Sequence, residues 1–411
     1  MKNKRFHYGW VVCFGCTLLL MCTMGLVANA GFSVYMPFII ADGPYSNASV
    51  SLIITVRSIF TLIGMFFVNK LYEKTDIRLG VFITCIAAAL AFVCYALARS
   101  LIVYYIGGAL AGLAYGFGSI IPVAILIKRW FVKKNALAIG ICSSGTGLAT
   151  LIFPKLFTAI IESKGIHISF FVEAALVVVM AVIVFLLLRN YPEEKGLEPL
   201  GADFAPEESK AGSVKKEKKT VRPFTKTENI IVIATMIITG AMGILSTANL
   251  SPLLKTEGID SQKVATAVSL FGFTLICAKL IVGNLIDKIG MFKANFILAA
   301  SCILGMLICC SVKTTGLLFM FIGTILFGFG VPIATVGLPI WAADFSNSDN
   351  YASMLKKLQM SYQVGGLLFS TLPGIFADAT GSYVPAYIMF SVFTAIVVTV
   401  VSVIYKRLNL V

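Results

Sequence analysis

The chain alternates between long apolar runs and short polar breaks, and each run is long enough to cross a hydrocarbon core about 30 Å thick as an α-helix. The pattern predicts twelve spans, at 8–38, 48–69, 80–98, 101–127, 136–160, 168–189, 229–250, 263–286, 294–312, 315–342, 351–376 and 383–405. One polar stretch breaks the rhythm. Asn190–Lys226 is rich in Pro, Gly, Glu and Lys and poor in large apolar residues, so it reads as a linker between two sets of six spans. The predicted organisation is a six-helix bundle over 1–189, a linker over 190–228 and a second bundle over 229–411.

Composition agrees with that reading. The 411 residues are 58% hydrophobic and only 13% charged, where a soluble protein carries roughly 25% charged residues. The net charge of +14 would suit a nucleic-acid partner or a membrane protein, and its distribution decides. Only Arg99, Lys155, Lys164, Lys255, Lys263 and Lys313 fall on one side of the predicted bilayer, and Arg57 and Lys279 fall inside spans. The remaining Lys and Arg lie on the other side. That asymmetry places both termini in the cytoplasm, makes the basic balance a matter of topology, and excludes nucleic-acid binding. The Lys-Lys-Glu-Lys-Lys run at 215–219 offers anionic lipid a contact, although a solvated loop is the plainer reading.

Lys2, Lys4 and Arg5, an apolar run and then Ala28-Asn29-Ala30 imitate a signal peptide. The run from Trp10 to Val27 is longer than the usual 7–15-residue core of such peptides, so it reads as the first span. The ten cysteines all fall in apolar runs and act as small hydrophobes rather than as a disulfide framework. The two histidines, His7 and His167, are far apart in the chain, so no metal site is expected from histidine spacing.

Two charges within spans are the candidate chemistry. A charge at the centre of a membrane helix costs about 2.5–3.5 kcal/mol on insertion scales, and such residues generally have a use. Lys279 lies eight residues before Asp287, so it sits ~12 Å inside the cytoplasmic boundary at the helical rise. That is too deep for a lysine stem to snorkel to water without strain. It should face the bundle interior or a wet cavity, where a fixed cation suits an anionic substrate; a structural or proton-titrating role is the alternative. Arg57 lies about 13 Å into the second span. It reads as a second carboxylate anchor, as the partner of Glu173 in the sixth span, or as a side chain that snorkels outward.

A weak internal repeat links the halves. A shift of 214 residues carries Glu73 onto Asp287, Gly116 onto Gly330, Phe131 onto Phe345 and Ala138 onto Ala352. The two loops that match are Asn69–Arg78 and Gly283–Lys293. The second reads Gly283-Asn-Leu-Ile-Asp287-Lys288-Ile-Gly290-Met-Phe-Lys293, and the first has Asn69, Glu73 and Asp76 in place of its Gly, Asp and second Gly. Parallel six-helix repeats are a common plan for alternating-access transporters, with substrate near the midplane.

This loop resembles the signature between the second and third helices of each half in the major facilitator superfamily. A narrower resemblance lies in Trp130-Phe-Val-Lys133-Lys134-Asn-Ala-Leu137-Ala138-Ile-Gly140-Ile-Cys-Ser-Ser-Gly145 and in Tyr8-Gly9-Trp10. These are similar to motifs of the monocarboxylate transporters and the oxalate/formate antiporters. The resemblance implies the major facilitator fold, with twelve helices in two six-helix bundles. It implies that Lys279, four residues before Gly283, occupies the position of a basic residue that binds the substrate carboxylate, where the family usually has Arg. It further implies that Tyr35, Tyr115 and Phe329 line the pocket, and that Glu73, Arg78, Gly283, Asp287, Lys288 and Gly290 belong to the gating loops. Related proton-coupled carriers have an Asp where this chain has Leu275. The helix-eleven lysine of the oxalate/formate group aligns with Leu358, with Lys357 one residue away.

Asn249, near the end of the seventh span, is a candidate hydrogen-bonding residue for substrate or for a neighbouring helix. The glycines at 107, 108, 112, 116, 140, 145 and 147 read as close-packing surfaces, since no G-x-x-x-x-G-K-[ST] is present. The expectation is a transporter, not an enzyme, that moves small organic anions such as monocarboxylates by exchange or with protons. It needs no cofactor or metal, and works as a monomer in the plasma membrane. A neutral or zwitterionic substrate and a non-transporting carboxylate sensor are the alternatives.

Overall fold

The computed structural model describes residues 7–27, 30–132, 135–201, 224–346 and 351–409. The first half contains α1 (Gly9–Leu20), which runs into a π-helical stretch at Met21–Leu26, and then α2 (Ala30–Asp42). There follow α3 (Asn47–Lys74), α4 (Ile77–Leu97), α5 (Leu101–Phe117), α6 (Ile120–Trp130), α7 (Asn135–Lys164) and α8 (Ile166–Leu187). The second half contains α9 (Lys226–Ala248), α10 (Leu250–Thr256) and α11 (Ser261–Cys310), the last interrupted at Gly290. It ends with α12 (Leu317–Gly330), α13 (Gly337–Asp344), α14 (Tyr351–Leu368), α15 (Leu372–Thr380) and α16 (Val384–Arg407).

Among the described residues, eleven helices are long and apolar enough to cross a membrane. The stretch predicted as the eleventh span is helical but is not one of them. Lys356, Lys357 and Gln359 dilute its apolar face, and it breaks between α14 and α15. Gly9–Leu26 is one of the eleven; Ala28, Asn29 and the 215–219 basic run lie outside the described residues. Large apolar side chains such as Phe66, Ile102, Ile230 and Leu318 stand exposed on the helices, as a lipid-facing surface requires.

Local chemistry explains several helix starts. Thr225 and Glu228 form a reciprocal capping box at the start of α9, with the Thr225 N–H donating to Glu228 Oε2 at 2.9 Å and the Glu228 N–H to Thr225 Oγ1 at 3.2 Å. Asp76 caps α4 by accepting from the N–H groups of Arg78 and Leu79 at 2.7 and 3.3 Å. Asp260 does the same for α11.

The chain divides into two compact units. The first contains 1–28, 59–149 and 163–217; here α4 packs on α5 and α8, and α1 on α6 and α8. The glycine stripes work as packing surfaces: a Cβ on Gly116 would press on the α3 backbone at Thr61 and Gly64, and one on Gly145 on the Thr17 carbonyl. Gly140 has nothing within 4 Å and carries no such contact. The second unit contains 29–58, 150–162 and 218–411. In it α9 packs on α14 and α16, α11 on α12 and α16, and α2 on α10.

The internal repeat has a physical counterpart. Phe131 ends α6 and meets Trp10 edge to face, with ring centroids 5.0 Å apart at 73°. Phe345 ends α13 and meets Phe224 edge to face at 5.9 Å and 67°. The 214-residue shift carries Trp10 onto Phe224 as it carries Phe131 onto Phe345. Each half of the chain thus closes the end of its fourth predicted span on an aromatic at the start of its first. In the first unit this contact joins the Tyr8-Gly9-Trp10 motif to the Trp130-Phe131 motif, and Tyr8 packs on Trp130 at 5.6 Å. The start of the linker folds over the same place: Trp130 Nε1 donates to the Arg189 carbonyl at 2.9 Å, and the Arg129 guanidinium lies 4.3 Å from the Tyr191 ring. Lys133 and Lys134 lie outside the described residues.

Candidate functional site

Four candidate pocket residues sit on helices of the second unit together with Arg57: Tyr35 on α2, Asn249 at the α9–α10 break, Lys279 on α11 and Phe329 on α12. Tyr115, on α5, belongs to the first unit. Arg57 is 4% exposed, with its guanidinium carbon 5.7 Å from the Phe32 ring centroid. A guanidinium facing a ring in a dry setting gains up to about 2 kcal/mol. Arg57 therefore points at α2 inside its own unit. Glu173 is fully buried on α8 in the other unit.

Lys279 is half-buried, eleven residues before the Gly290 break and eighteen after the start of α11, so ~16 Å of helix separates it from the turn. The stretch around it is apolar, with Leu275 and Val282 buried. Tyr35 is buried against Phe157 of α7, ring centroids 5.9 Å apart. Phe329 and Tyr115 are half-buried. Lys357 is held elsewhere: its Nζ donates to Asn229 Oδ1 at 2.9 Å near the start of α9, while Leu358 is fully buried.

The two signature loops turn by different means. In the second loop Gly290 takes φ 78° and ψ 156° and breaks α11 into two helices, a backbone that essentially only glycine adopts. In the first loop the matching residue is Asp76, which turns the chain by capping α4 instead. Its departure from the signature is thus a replacement of one turn device by another. Arg78 is bound within its own unit: its Nε donates to the Phe185 carbonyl at 2.6 Å, its guanidinium lies 4.0 Å from the Phe185 ring, and its N–H reaches Asn190 Oδ1 at 3.2 Å. Lys288 is exposed, and a Cβ on Gly283 would meet nothing within 4 Å. The side chains of Glu73 and Asp287 lie outside the described residues.

One polar constellation escaped the sequence. Asp378, on α15, holds the start of α3. Its Oδ1 accepts from the Asn47 N–H at 2.7 Å and from Asn47 Nδ2 at 2.8 Å, and its Oδ2 accepts from the Ala48 N–H at 2.7 Å. Tyr383 Oη donates to Asn47 Oδ1 at 3.2 Å. Partial burial pushes the Asp378 carboxyl up, and the hydrogen bonds from Ala48, Asn47 and Ser46 more than offset this, so it lies below its ordinary value. A lone Asp at the start of a polar break carries no motif, and its partner lies 330 residues away.

These helices define a polytopic helical membrane protein whose two units repeat one aromatic contact. The Major Facilitator Superfamily profile matches residues 13–354 and 231–409, and the chain belongs to that family of membrane transporters. Curated relatives include monocarboxylate transporter 12 of Mus musculus, 22% identical over 93% of this chain and 82% of the relative. Monocarboxylate transporter 13 of Bos taurus is 23% identical over 94% of this chain and 87% of the relative. Among solved structures, the nucleoside transporter NupG superposes with a TM-score of 0.74 at 12% identity, covering 98% of this chain and 100% of that one. A D-xylose-proton symporter superposes at 0.70 and 13% identity, over 96% of each chain. At such identities these two structures establish the fold alone.

Proposed function

We propose that the protein is a secondary transporter of small organic anions, monocarboxylates in the first place, that works by alternating access. The observation that carries this reading is Lys279: a cation in an apolar membrane helix, four residues before Gly283, in a chain whose curated relatives include monocarboxylate transporters. A cation placed within a membrane span favours a carboxylate over a neutral solute. Lysine offers a point charge without the bidentate fork of arginine, which suits a single small carboxylate. Lys357 is tied to Asn229, so a second cation would come from Arg57, and the pocket fits one carboxylate better than two. Tyr35 and Phe329 shape the pocket and Asn249 supplies a polar contact; Tyr115 is the candidate lining residue of the first unit.

The accompanying architecture is twelve spans in two bundles, 1–189 and 229–411, joined by the 190–228 linker. Both termini are cytoplasmic, and the protein acts as a monomer in the plasma membrane. The loops carrying Glu73, Arg78, Gly283, Asp287, Lys288 and Gly290 gate the cytoplasmic side. Leu275 replaces the acid of related proton-coupled carriers, so exchange stands beside proton coupling as the driving mode. Counterflow of labelled lactate in proteoliposomes at fixed pH, with and without a proton gradient, tests the reading. Carboxylate-dependent counterflow supports it, and uptake indifferent to substrate charge overturns it.

A further inference from the structure

The second unit contains more than the second half of the chain. It takes in the end of the first span (α2), the start of the second (Asn47–Ser58) and the end of the fifth (Thr150–Glu162). The charge pattern assigns all three segments to the exterior side. α2 packs on α10, and a pair of related polar contacts ties the other two segments to α9–α16. Asp378 of α15 accepts three hydrogen bonds at the start of α3. Glu162 of α7 accepts from Gln262 Nε2 at the start of α11, at 2.7 Å. The 214-residue shift that relates the halves carries Ala48 onto Gln262, so the start of the second helix in each half meets an acid from the fifth helix of the other.

The backbones of each helix pair also touch at a glycine, beside Asp378 in one pair and about 15 Å along the helices from Glu162 in the other. A Cβ on Gly374 would fall 2.5 Å from the Asn47 carbonyl, and one on Gly272 would fall 2.6 Å from the Leu151 nitrogen. Thr55 and Ser370 exchange a hydrogen bond at 2.6 Å between the same two spans as Asp378 and Asn47.

The same unit holds buried polar atoms with no hydrogen-bond partner among the described residues: Ser33 Oγ on α2, Thr158 Oγ1 on α7, Asn249 Oδ1 at the α9–α10 break and Ser269 Oγ on α11. Asn249 Nδ2 donates to the Leu245 carbonyl at 2.8 Å, which fixes the amide orientation and leaves its oxygen as the orphan. The four lie on four different spans, and a buried polar atom without a protein partner is costly. They are what the wall of a water-filled vestibule would present once the same helices separate.

Resting on the alternating-access reading above, we propose that Asp378 is a gating residue that latches the exterior side closed. Its carboxylate sits where the unpaired N–H groups and positive end of the α3 dipole favour a negative charge. Glu162 makes the companion link, and release of both exposes Ser33, Thr158, Asn249 and Ser269 to water. Hydration of those four groups offsets the hydrogen bonds broken at the two acids, so the closed state is held against a restoring pull.

The test reads opening rather than transport. Ser269→Cys, introduced into the full-length protein in proteoliposomes, is labelled from outside with a membrane-impermeant methanethiosulfonate and followed by peptide mass. The proposal expects Asp378→Asn to raise the labelling rate at position 269 about three- to tenfold. Gly374→Ala, which wedges the same contact apart, should raise it in the same direction. Cys302 and Cys309, fully buried on α11, serve as internal controls and should stay unlabelled. An unchanged rate in both variants overturns the latch, as does a rise shared by Cys302 and Cys309, which would signify general loosening. No substrate enters the assay, so failure of the carboxylate reading in uptake leaves this result standing, and the reverse holds.

Discussion

Trp10 and Phe131 meet edge to face at 5.0 Å, and the contact joins two sequence motifs that lie 120 residues apart in the chain. It recurs as Phe224 with Phe345. Edge-to-face pairs contribute about 0.5–1.5 kcal/mol beyond area burial. A double-mutant cycle with Trp10→Leu and Phe131→Leu, read by thermal melting of the purified protein, is expected to show a coupling of about 1 kcal/mol. Strictly additive single effects would contradict the pairing.

Much of the fold was legible because membrane helices announce themselves by length and composition. The spans starting at Asn47, Ile77, Leu101 and Ile166 follow the predicted ones closely. The break at Phe369–Thr371 was not legible, because apolar residues continue through it. Asp76 departs from the loop signature, and the structure gives it a capping role that motif comparison does not score. Arg78 looked like a loop charge, and its bonds to Phe185 and Asn190 depend on how α8 ends. Of the candidate site, the depth of Lys279 and Arg57 followed from counting residues. The facing of Arg57 toward Phe32 brings one point of α3 against α2, which no periodicity reports.

Gly290 carries a backbone that side chains resist, with φ 78° and ψ 156°. Gly290→Ala is expected to lower stability by about 1–3 kcal/mol, seen as a lower melting temperature. Gly283→Ala should be nearly silent in the same measurement, because a Cβ there meets nothing within 4 Å. Equal losses at both positions would contradict the separate roles assigned to the two glycines.

In the proposed pocket Arg57 is the candidate second contact to the carboxylate. A hydrogen bond to a charged group contributes about 1.5–3 kcal/mol, so Arg57→Leu should raise the uptake KM for a monocarboxylate roughly ten- to a hundredfold. Arg57→Lys should recover part of that loss. An unchanged KM in Arg57→Leu would remove this residue from the site.

The hydrogen bonds at Asp378 hold its carboxyl below the ordinary value. A depressed acid stabilises its contact above the ordinary carboxylate range and loses that contribution only as pH falls through the lowered value. The exterior latch should therefore be insensitive to pH between 5 and 8. Labelling of Ser269→Cys across that range should not vary through Asp378. A rise toward pH 5 that disappears in Asp378→Asn would contradict the hydrogen-bond count at this acid.

In the proposed mechanism Lys279 holds the substrate carboxylate. Its direct test is lactate counterflow in proteoliposomes with Lys279→Ala and Lys279→Arg, at matched protein incorporation. Counterflow is expected to be lost in Lys279→Ala and retained, with an altered KM, in Lys279→Arg. Full counterflow in Lys279→Ala would contradict it.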